Sequence, residues 1–158
     1  MNPTTDVAAS SLLWHYTVAA RLREILVSGV IRRATVGLRK GERAGVWFSL
    51  RDTWEPTATK WVRGHDGQFR PATMEEMSAM GLARIGVGLE TVRTTWAQHR
   101  RFGGLPWPDG DAVERSARHQ DSDPDGWRVS YRDVPRAAWQ RIETSSDGVL
   151  WTAVDDDS

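Results

Sequence analysis

The sequence has 158 residues, a formal net charge of zero and no cysteine. A chain of this length can bury a hydrophobic core without covalent cross-links or structural metals. The lack of cysteine excludes disulfides, thiolate nucleophiles and cysteine-bound zinc. Its four histidines show no His-x-x-x-His spacing and it has no stretch of about 18 apolar residues, so the sequence argues against a metal site and a membrane span.

The two ends of the chain bear on its localisation and its domain organisation. The first residues lack a basic segment followed by an apolar run, so we predict no secretory signal and expect a cytoplasmic protein. We expect a single domain over residues 1–158, with residues 1–10 and 155–158 flexible.

Basic residues are concentrated in the first third of the chain. Residues 1–54 hold eight arginines and lysines against four acidic residues, a surplus of four positive charges. Arginine binds phosphates and carboxylates through paired hydrogen bonds, so this excess fits an anionic ligand, and a codon preference for arginine is the alternative. The nine tryptophans leave a similar choice between core packing and stacking on flat ligand rings.

Residues 12–31 predict a strand, a tight turn and a helix. The apolar run over residues 12–16 fits a buried strand with His15 near its centre. Helical spacing of apolar residues begins after Thr17, which is the predicted N-cap, and Gly29 is predicted to end the helix. His15 would then lie where a strand meets a helix N-terminus, a place that favours anionic groups.

The elements that follow alternate between strands, helices and polar loops. The basic loop over residues 32–43 is a candidate ligand-contacting segment, and residues 45–50 predict a second strand. Thr73 and Glu76 form a capping-box pattern that predicts a short helix ending at Gly81. The remaining predictions are a strand over 83–89, a helix to about residue 101 with Val92, Trp96 and His99 on one side, a loop over 103–108, a helix over 112–120, an acidic turn over 121–126, strands over 127–131, 139–143 and 149–154, and a hairpin connection over 145–148. This order of elements predicts an α+β fold.

The opening of the chain resembles a known superfamily. The residues Leu13-Trp14-His15-Tyr16-Thr17, the helix end Ser28-Gly29-Val30-Ile31 and the strand Val46-Trp47-Phe48-Ser49 are similar to the opening of the ADP-ribosyltransferase superfamily. The closest likeness is to DarT-type toxins, and RNA 2′-phosphotransferases share a related opening with His-Gly in place of His15-Tyr16. The resemblance covers residues 12–50, about a third of the chain.

This resemblance implies a split, mostly antiparallel sheet with flanking helices and an NAD-binding cleft between the two halves of the sheet. In the family the strand histidine, here His15, binds ribose hydroxyls, and the nearby threonine, here Thr17, helps to hold the cofactor. An aromatic residue of the next strand stacks on nicotinamide, a role that falls to Trp47 or Phe48. Side chains alternate along a strand, so one of these two rings is expected in the core and the other at the ligand.

The chemistry of the superfamily requires a carboxylate, which is the point where this sequence departs from the pattern. Cleavage of the bond between nicotinamide and ribose develops positive charge on the ribose, and a carboxylate near the 2′-hydroxyl stabilises it. The family's glutamate opens a late strand, but the matching strand here begins Gly126-Trp127-Arg128. Glu143 in the next strand is therefore our catalytic candidate, and Glu90 is the alternative.

Two functions use the predicted cleft, and a third possibility is an interaction protein whose tryptophans form a surface for a partner. The first is an NAD-dependent ADP-ribosyltransferase that modifies a nucleic acid or a protein, as a toxin or a defence factor would. The second is a non-catalytic module that binds a nucleotide, ADP-ribose or a nucleic-acid end in the same cleft. The predicted cofactor-binding residues are His15, Thr17, Arg32, Arg33, Trp47 and Phe48, the predicted catalytic residue is Glu143, and no metal is expected.

Overall fold

The computed structural model describes residues 11–155 and contains four α-helices and eleven strands in that range. The helices are α1 (Ala19–Ser28), α2 (Met74–Met80), α3 (Trp96–Phe102) and α4 (Trp107–His119). The strands are β1 (Leu12–Val18), β2 (Val30–Ile31), β3 (Val46–Ser49), β4 (Trp61–Arg63), β5 (Phe69–Pro71), β6 (Leu82–Gly88), β7 (Thr94–Thr95), β8 (Trp127–Ser130), β9 (Val134–Pro135), β10 (Trp139–Ser145) and β11 (Thr152–Ala153).

Seven of these strands form one sheet in the order β11-β10-β6-β1-β3-β8-β7. Every strand pair of the described residues is antiparallel, so the predicted α+β class with a mostly antiparallel sheet is confirmed. Two small sheets, β2 with β9 and β4 with β5, lie beside it. None of the helices in the described part of the chain is long and apolar enough to cross a membrane.

The strand β1 lies at the centre of the large sheet and is paired unequally on its two sides. On one side it pairs with β6 along its whole length, from Leu12 opposite Gly88 to Val18 opposite Leu82. On the other side its register with β3 contains a single pair, Trp14 opposite Ser49. The sheet is therefore weakly joined between β1 and β3.

Alternation of side chains along β1 divides the core between the two faces of the sheet. Leu13 packs with Leu22 and Ile25 of α1 in one buried cluster. Trp14, on the opposite face of β1, packs with Met77 of α2 in a second cluster. A third cluster joins α3, α4 and β8 through Trp96, Leu105, Ala117 and Trp127. The three clusters together hold both faces of the sheet under helices.

Local sequence signals predict several element ends correctly. Gly29 ends α1 with a left-handed φ of 71°, which glycine adopts without a steric penalty. Thr73 and Glu76 form the predicted capping box of α2. The expected extended pieces at residues 30–31 and 45–50 are β2 and β3.

Other element ends differ from the predictions. Thr17 is not the N-cap of α1, because β1 continues through it: Thr17 pairs with Ala83, and Val18 is the N-cap without a side-chain hydrogen bond. The predicted loop over 103–108 is shorter, since α4 begins at Trp107 with a proline in its first turn.

The C-terminal part of the chain also differs from the prediction. The strand predicted over 149–154 is reduced to β11, because Asp147 Oδ1 accepts hydrogen bonds from the backbone N–H groups of Val149 and Leu150, at 2.8 and 2.9 Å, and holds them in a turn. The predicted flexible ends lie outside the described residues, apart from Asp155.

Candidate functional site

A cleft of about 600 Å³ opens where β1 and β3 are weakly joined. Its walls come from β1, β3, the loop between β2 and β3, and the segment that follows β3. Six aromatic side chains contribute to this lining, namely Trp14, Tyr16, Trp47, Phe48, Trp61 and Trp127, and Trp96 adds a seventh from α3. The cleft can therefore hold a ligand with flat rings.

His15 lines this cleft and is fixed in one orientation. Its Nδ1 lies 2.9 Å from the backbone oxygen of Trp47, and its ring centroid lies 5.7 Å from that of Phe48. A carbonyl oxygen can only accept, so Nδ1 carries the proton of the neutral ring. Nε2 is left as a hydrogen-bond acceptor with no protein partner among the described residues.

The surroundings of His15 favour this neutral ring. Burial lowers its pKa below the ordinary value of 6.5, and the positive charges of Lys60 and Arg21 lower the pKa further, against the opposing effect of the Trp47 hydrogen bond. The free Nε2 is thus available to a ligand hydroxyl at neutral pH.

The lowered pKa predicts a pH dependence of stability. Below pH 6.5 His15 is protonated in the unfolded chain but still neutral in the folded protein, because its folded pKa is lower. The free energy of unfolding therefore falls as the pH drops from 6.5 towards the folded pKa. We expect His15→Gln to flatten this part of the profile in urea unfolding at pH 5 to 7, relative to the wild type. Equal pH dependence of the free energy of unfolding in the two proteins would contradict the lowered pKa of His15. The control is His65→Gln, in an exposed turn, which should keep the wild-type profile.

Trp47 and Phe48 both line the cleft, although they point to opposite faces of β3. Phe48 is buried with Leu13 and Ile85 beneath α1. Trp47 packs edge-on against His99, at 4.9 Å between ring centroids, on the other face. Because the cleft lies at the gap beside β3, side chains from both faces of this strand reach it. The structure buries Phe48 in the core, as expected of one of the two rings, and leaves Trp47 only partly buried; which ring contacts a ligand stays a prediction.

The structure separates the two predicted arginines from the cleft lining. Arg33 Nε pairs with Asp133 Oδ1 at 3.0 Å on the protein surface, and its backbone N–H hydrogen-bonds to the same carboxylate and lowers the pKa of Asp133. Arg32 is exposed and is not among the lining residues. The basic residues in the described lining are Arg39 and Lys60. The loop predicted to contact a ligand does line the cleft, but through its later residues.

Thr17 and Glu143 also lie outside the lining. Thr17 is buried in β1 opposite Ala83. Glu143 lies in β10, which is separated from β1 by β6. Its Oε1 is 2.6 Å from Arg84 Nη2 and its Oε2 is 2.9 Å from an Arg141 guanidinium nitrogen. Both oxygens of Glu143 are thus occupied by cations, and the structure does not bring this carboxylate to His15.

The sequence reasoning missed Glu55, a buried carboxylate that lines the cleft. Glu55 caps the short 3₁₀ turn Pro56–Ala58 by accepting a hydrogen bond from the backbone N–H of Thr57. An acidic residue directly before a proline and two positions before a threonine is a local capping signal. Its burial could not be read from this signal, because one of its donors, Ser122, is 67 residues away.

The far wall of the cleft is fixed by a buried histidine. His99 is fully buried in α3, with Nε2 2.9 Å from Glu42 Oε2 and Nδ1 2.7 Å from the Tyr131 hydroxyl. Glu42 lies in the loop between β2 and β3 and lines the cleft. This chain of hydrogen bonds ties the loop to α3 and to the bend after β8, although His99 carried no predicted role.

A close backbone approach holds the same loop. Gly104 has a φ of 74°, and a Cβ atom there would lie 2.0 Å from the Gly41 oxygen, so only glycine fits. The Arg43 N–H donates to the Gly103 oxygen at 2.7 Å beside it. The end of the cleft loop is therefore fastened to the connection between α3 and α4.

Comparison of this chain with protein-family models, curated proteins and solved structures finds no match. Within residues 11–155, no group of three or more His, Asp or Glu side chains is placed to hold a metal ion. The chemistry of the cleft is thus the basis for a functional assignment.

Proposed function

We propose that the cleft binds NAD or a related nucleotide and that the protein is an ADP-ribosyltransferase-like enzyme. The observation that carries this proposal is the position of His15, which lines an aromatic cleft where two strands of an antiparallel sheet are weakly paired. Its Nε2 has no hydrogen-bond partner within residues 11–155. An acceptor nitrogen of this kind suits a ribose hydroxyl.

The other lining groups fit the remaining parts of such a ligand. Trp47 and Phe48 line the cleft and supply aromatic surface for packing against a nicotinamide or adenine ring. Lys60 and Arg39 supply positive charge for phosphates. Partial burial lowers the pKa of Lys60 and the positive charge of Arg21 lowers it further, so an anion bound beside Lys60 would favour its charged form. The residue types in the cleft therefore match the rings, hydroxyls and phosphates of a dinucleotide.

Titration calorimetry of the full chain with NAD tests the proposal. We expect binding by the wild type and about tenfold weaker binding by His15→Ala, since one hydrogen bond in a desolvated site contributes about 1–2 kcal/mol. His65→Ala, in an exposed turn, should bind like the wild type. Absence of heat with the folded wild type, or equal affinity for both variants, would refute the NAD site.

A second candidate is a binding module without catalysis, with the same cleft holding a nucleotide, ADP-ribose or a nucleic-acid end. The location of Glu143 favours it, because the carboxylate predicted to be catalytic is held by Arg84 and Arg141 away from the lining. Incubation with labelled NAD and cellular nucleic acid and protein separates the two candidates. Transfer of label with release of nicotinamide is expected of the enzyme alone.

A further inference from the structure

Glu55 is a buried negative charge in the cleft wall without a cationic partner among the described residues. Its residue exposure is 5%, and it makes no ion pair within residues 11–155. A buried carboxylate is costly unless hydrogen bonds or a counter-charge compensate it. In this protein the compensation comes from hydroxyl and backbone donors, which leave the negative charge in place.

The donors are divided unequally between the two carboxylate oxygens. Oε1 receives hydrogen bonds from the Thr57 N–H at 3.4 Å, from Thr57 Oγ1 at 2.8 Å and from the Ser122 hydroxyl. Oε2 receives one hydrogen bond, from Ser49 Oγ at 2.8 Å. A carboxylate oxygen can accept about two hydrogen bonds. Oε1 is therefore saturated, and Oε2 retains room for one more donor.

Two other glutamates that could be catalytic candidates, Glu42 and Glu143, already have partners for both of their carboxylate oxygens. Glu42, also in the lining, binds His99 through Oε2 and the Arg39 backbone N–H through Oε1. Glu143 forms ion pairs with Arg84 and Arg141. Glu55 is thus the described carboxylate that combines a place in the lining, no cationic partner within residues 11–155 and a free acceptor position.

We propose that Glu55 is the catalytic carboxylate of the cleft, supplied by the segment after β3 rather than by a late strand. This inference rests on the proposed function. Oε2 accepts a hydrogen bond from a ribose hydroxyl, and the fixed negative charge stabilises the positive charge that develops on the ribose. The Ser49, Thr57 and Ser122 donors hold the carboxylate so that it does not reorganise during the reaction.

The bond that breaks joins the ribose carbon to the nicotinamide nitrogen, and its electron pair leaves with neutral nicotinamide. A water oxygen, or a nucleophilic oxygen or nitrogen of an acceptor, bonds to the ribose carbon and loses one proton to solvent. Glu55 remains a carboxylate throughout, so it needs no further reactant.

The test measures NAD affinity by calorimetry and nicotinamide release by chromatography, using the full chain in buffer and with added cellular nucleic acid and protein. We expect Glu55→Gln to bind NAD within about threefold of the wild type and to release nicotinamide at least about 100-fold more slowly, since it keeps the shape but removes the charge. Glu75→Gln, on the exposed side of α2, should match the wild type in both measurements. Thermal unfolding establishes that each variant is folded.

If the amide unfolds the protein, Glu55→Asp keeps the charge but withdraws it by one methylene, and it should slow release at least about tenfold. A wild type that binds NAD without releasing nicotinamide, or a Glu55 variant that keeps the wild-type rate, overturns the inference and leaves the NAD site standing. Equal loss of affinity and rate in Glu55→Gln also overturns it and assigns Glu55 to binding. Absence of NAD binding by the folded wild type overturns the proposed function itself.

Discussion

Glu143→Ala is expected to lower the free energy of unfolding by about 3–5 kcal/mol, because it leaves the buried guanidinium of Arg84 without its counter-charge. Arg84 is 7% exposed and donates to Glu143 Oε1 from Nε and Nη2, at 2.8 and 2.6 Å. Its guanidinium also lies between the rings of Trp14 and Trp151, at 3.8 and 4.2 Å from their centroids. Urea unfolding followed by tryptophan fluorescence measures the loss.

Two further variants separate a buried charge effect from a general effect of removing glutamate. Glu24→Ala removes the partner of Arg21 in an exposed pair on α1, and only a small change is expected. The double variant Arg84→Met with Glu143→Leu removes both charges, so it should recover much of the stability lost in Glu143→Ala. A double variant as unstable as the single one would show that packing, not the unpaired charge, causes the loss.

The same ion pair illustrates what local sequence patterns could not predict. The first strand, the stop at Gly29, the strand at residues 46–49 and the capping box at Thr73 depend on neighbours within a few positions, and they were predicted correctly. The partner of Glu143 is 59 residues away in β6. Its burial follows from the strand order, which no local period encodes. A glutamate in a predicted strand was therefore open to a catalytic interpretation.

The candidate site shows the same difference between what near neighbours in the sequence indicate and what only the folded chain brings together. His15, Trp47 and Phe48 were proposed from a resemblance carried by one short β-α-β segment, and the structure places all three in the cleft lining. Arg32 and Arg33 were predicted because their loop is basic, contains glycine and follows the first helix directly. The structure places both outside the cleft lining, with Arg33 paired to Asp133 at the surface. Lys60 and Glu55 reach the cleft because the segment after β3 folds back along it, a path that a polar sequence interrupted by Pro56 does not reveal.

The fully buried His99 offers the sharpest test of how the cleft wall is held. His99→Leu fills a similar volume but leaves the Glu42 carboxylate and the Tyr131 hydroxyl without their shared partner. We expect the free energy of unfolding to fall by about 2–4 kcal/mol, because one of the two lost hydrogen bonds involves a charged group in a buried setting. Urea unfolding of the variant measures this change.

Tyr131→Phe is the matched control, since it removes one of the two hydrogen bonds and keeps the contact between His99 and Glu42. A loss of about 1 kcal/mol is expected for it. If the cleft binds NAD as proposed, the two variants should also differ in NAD affinity. His99→Leu releases Glu42 and the loop that lines the cleft, so the affinity should fall, whereas Tyr131→Phe should bind like the wild type. If both variants lose equal stability and neither changes affinity, then the loop does not depend on the contact between Glu42 and His99, and its other contacts, such as the close approach at Gly104, hold it.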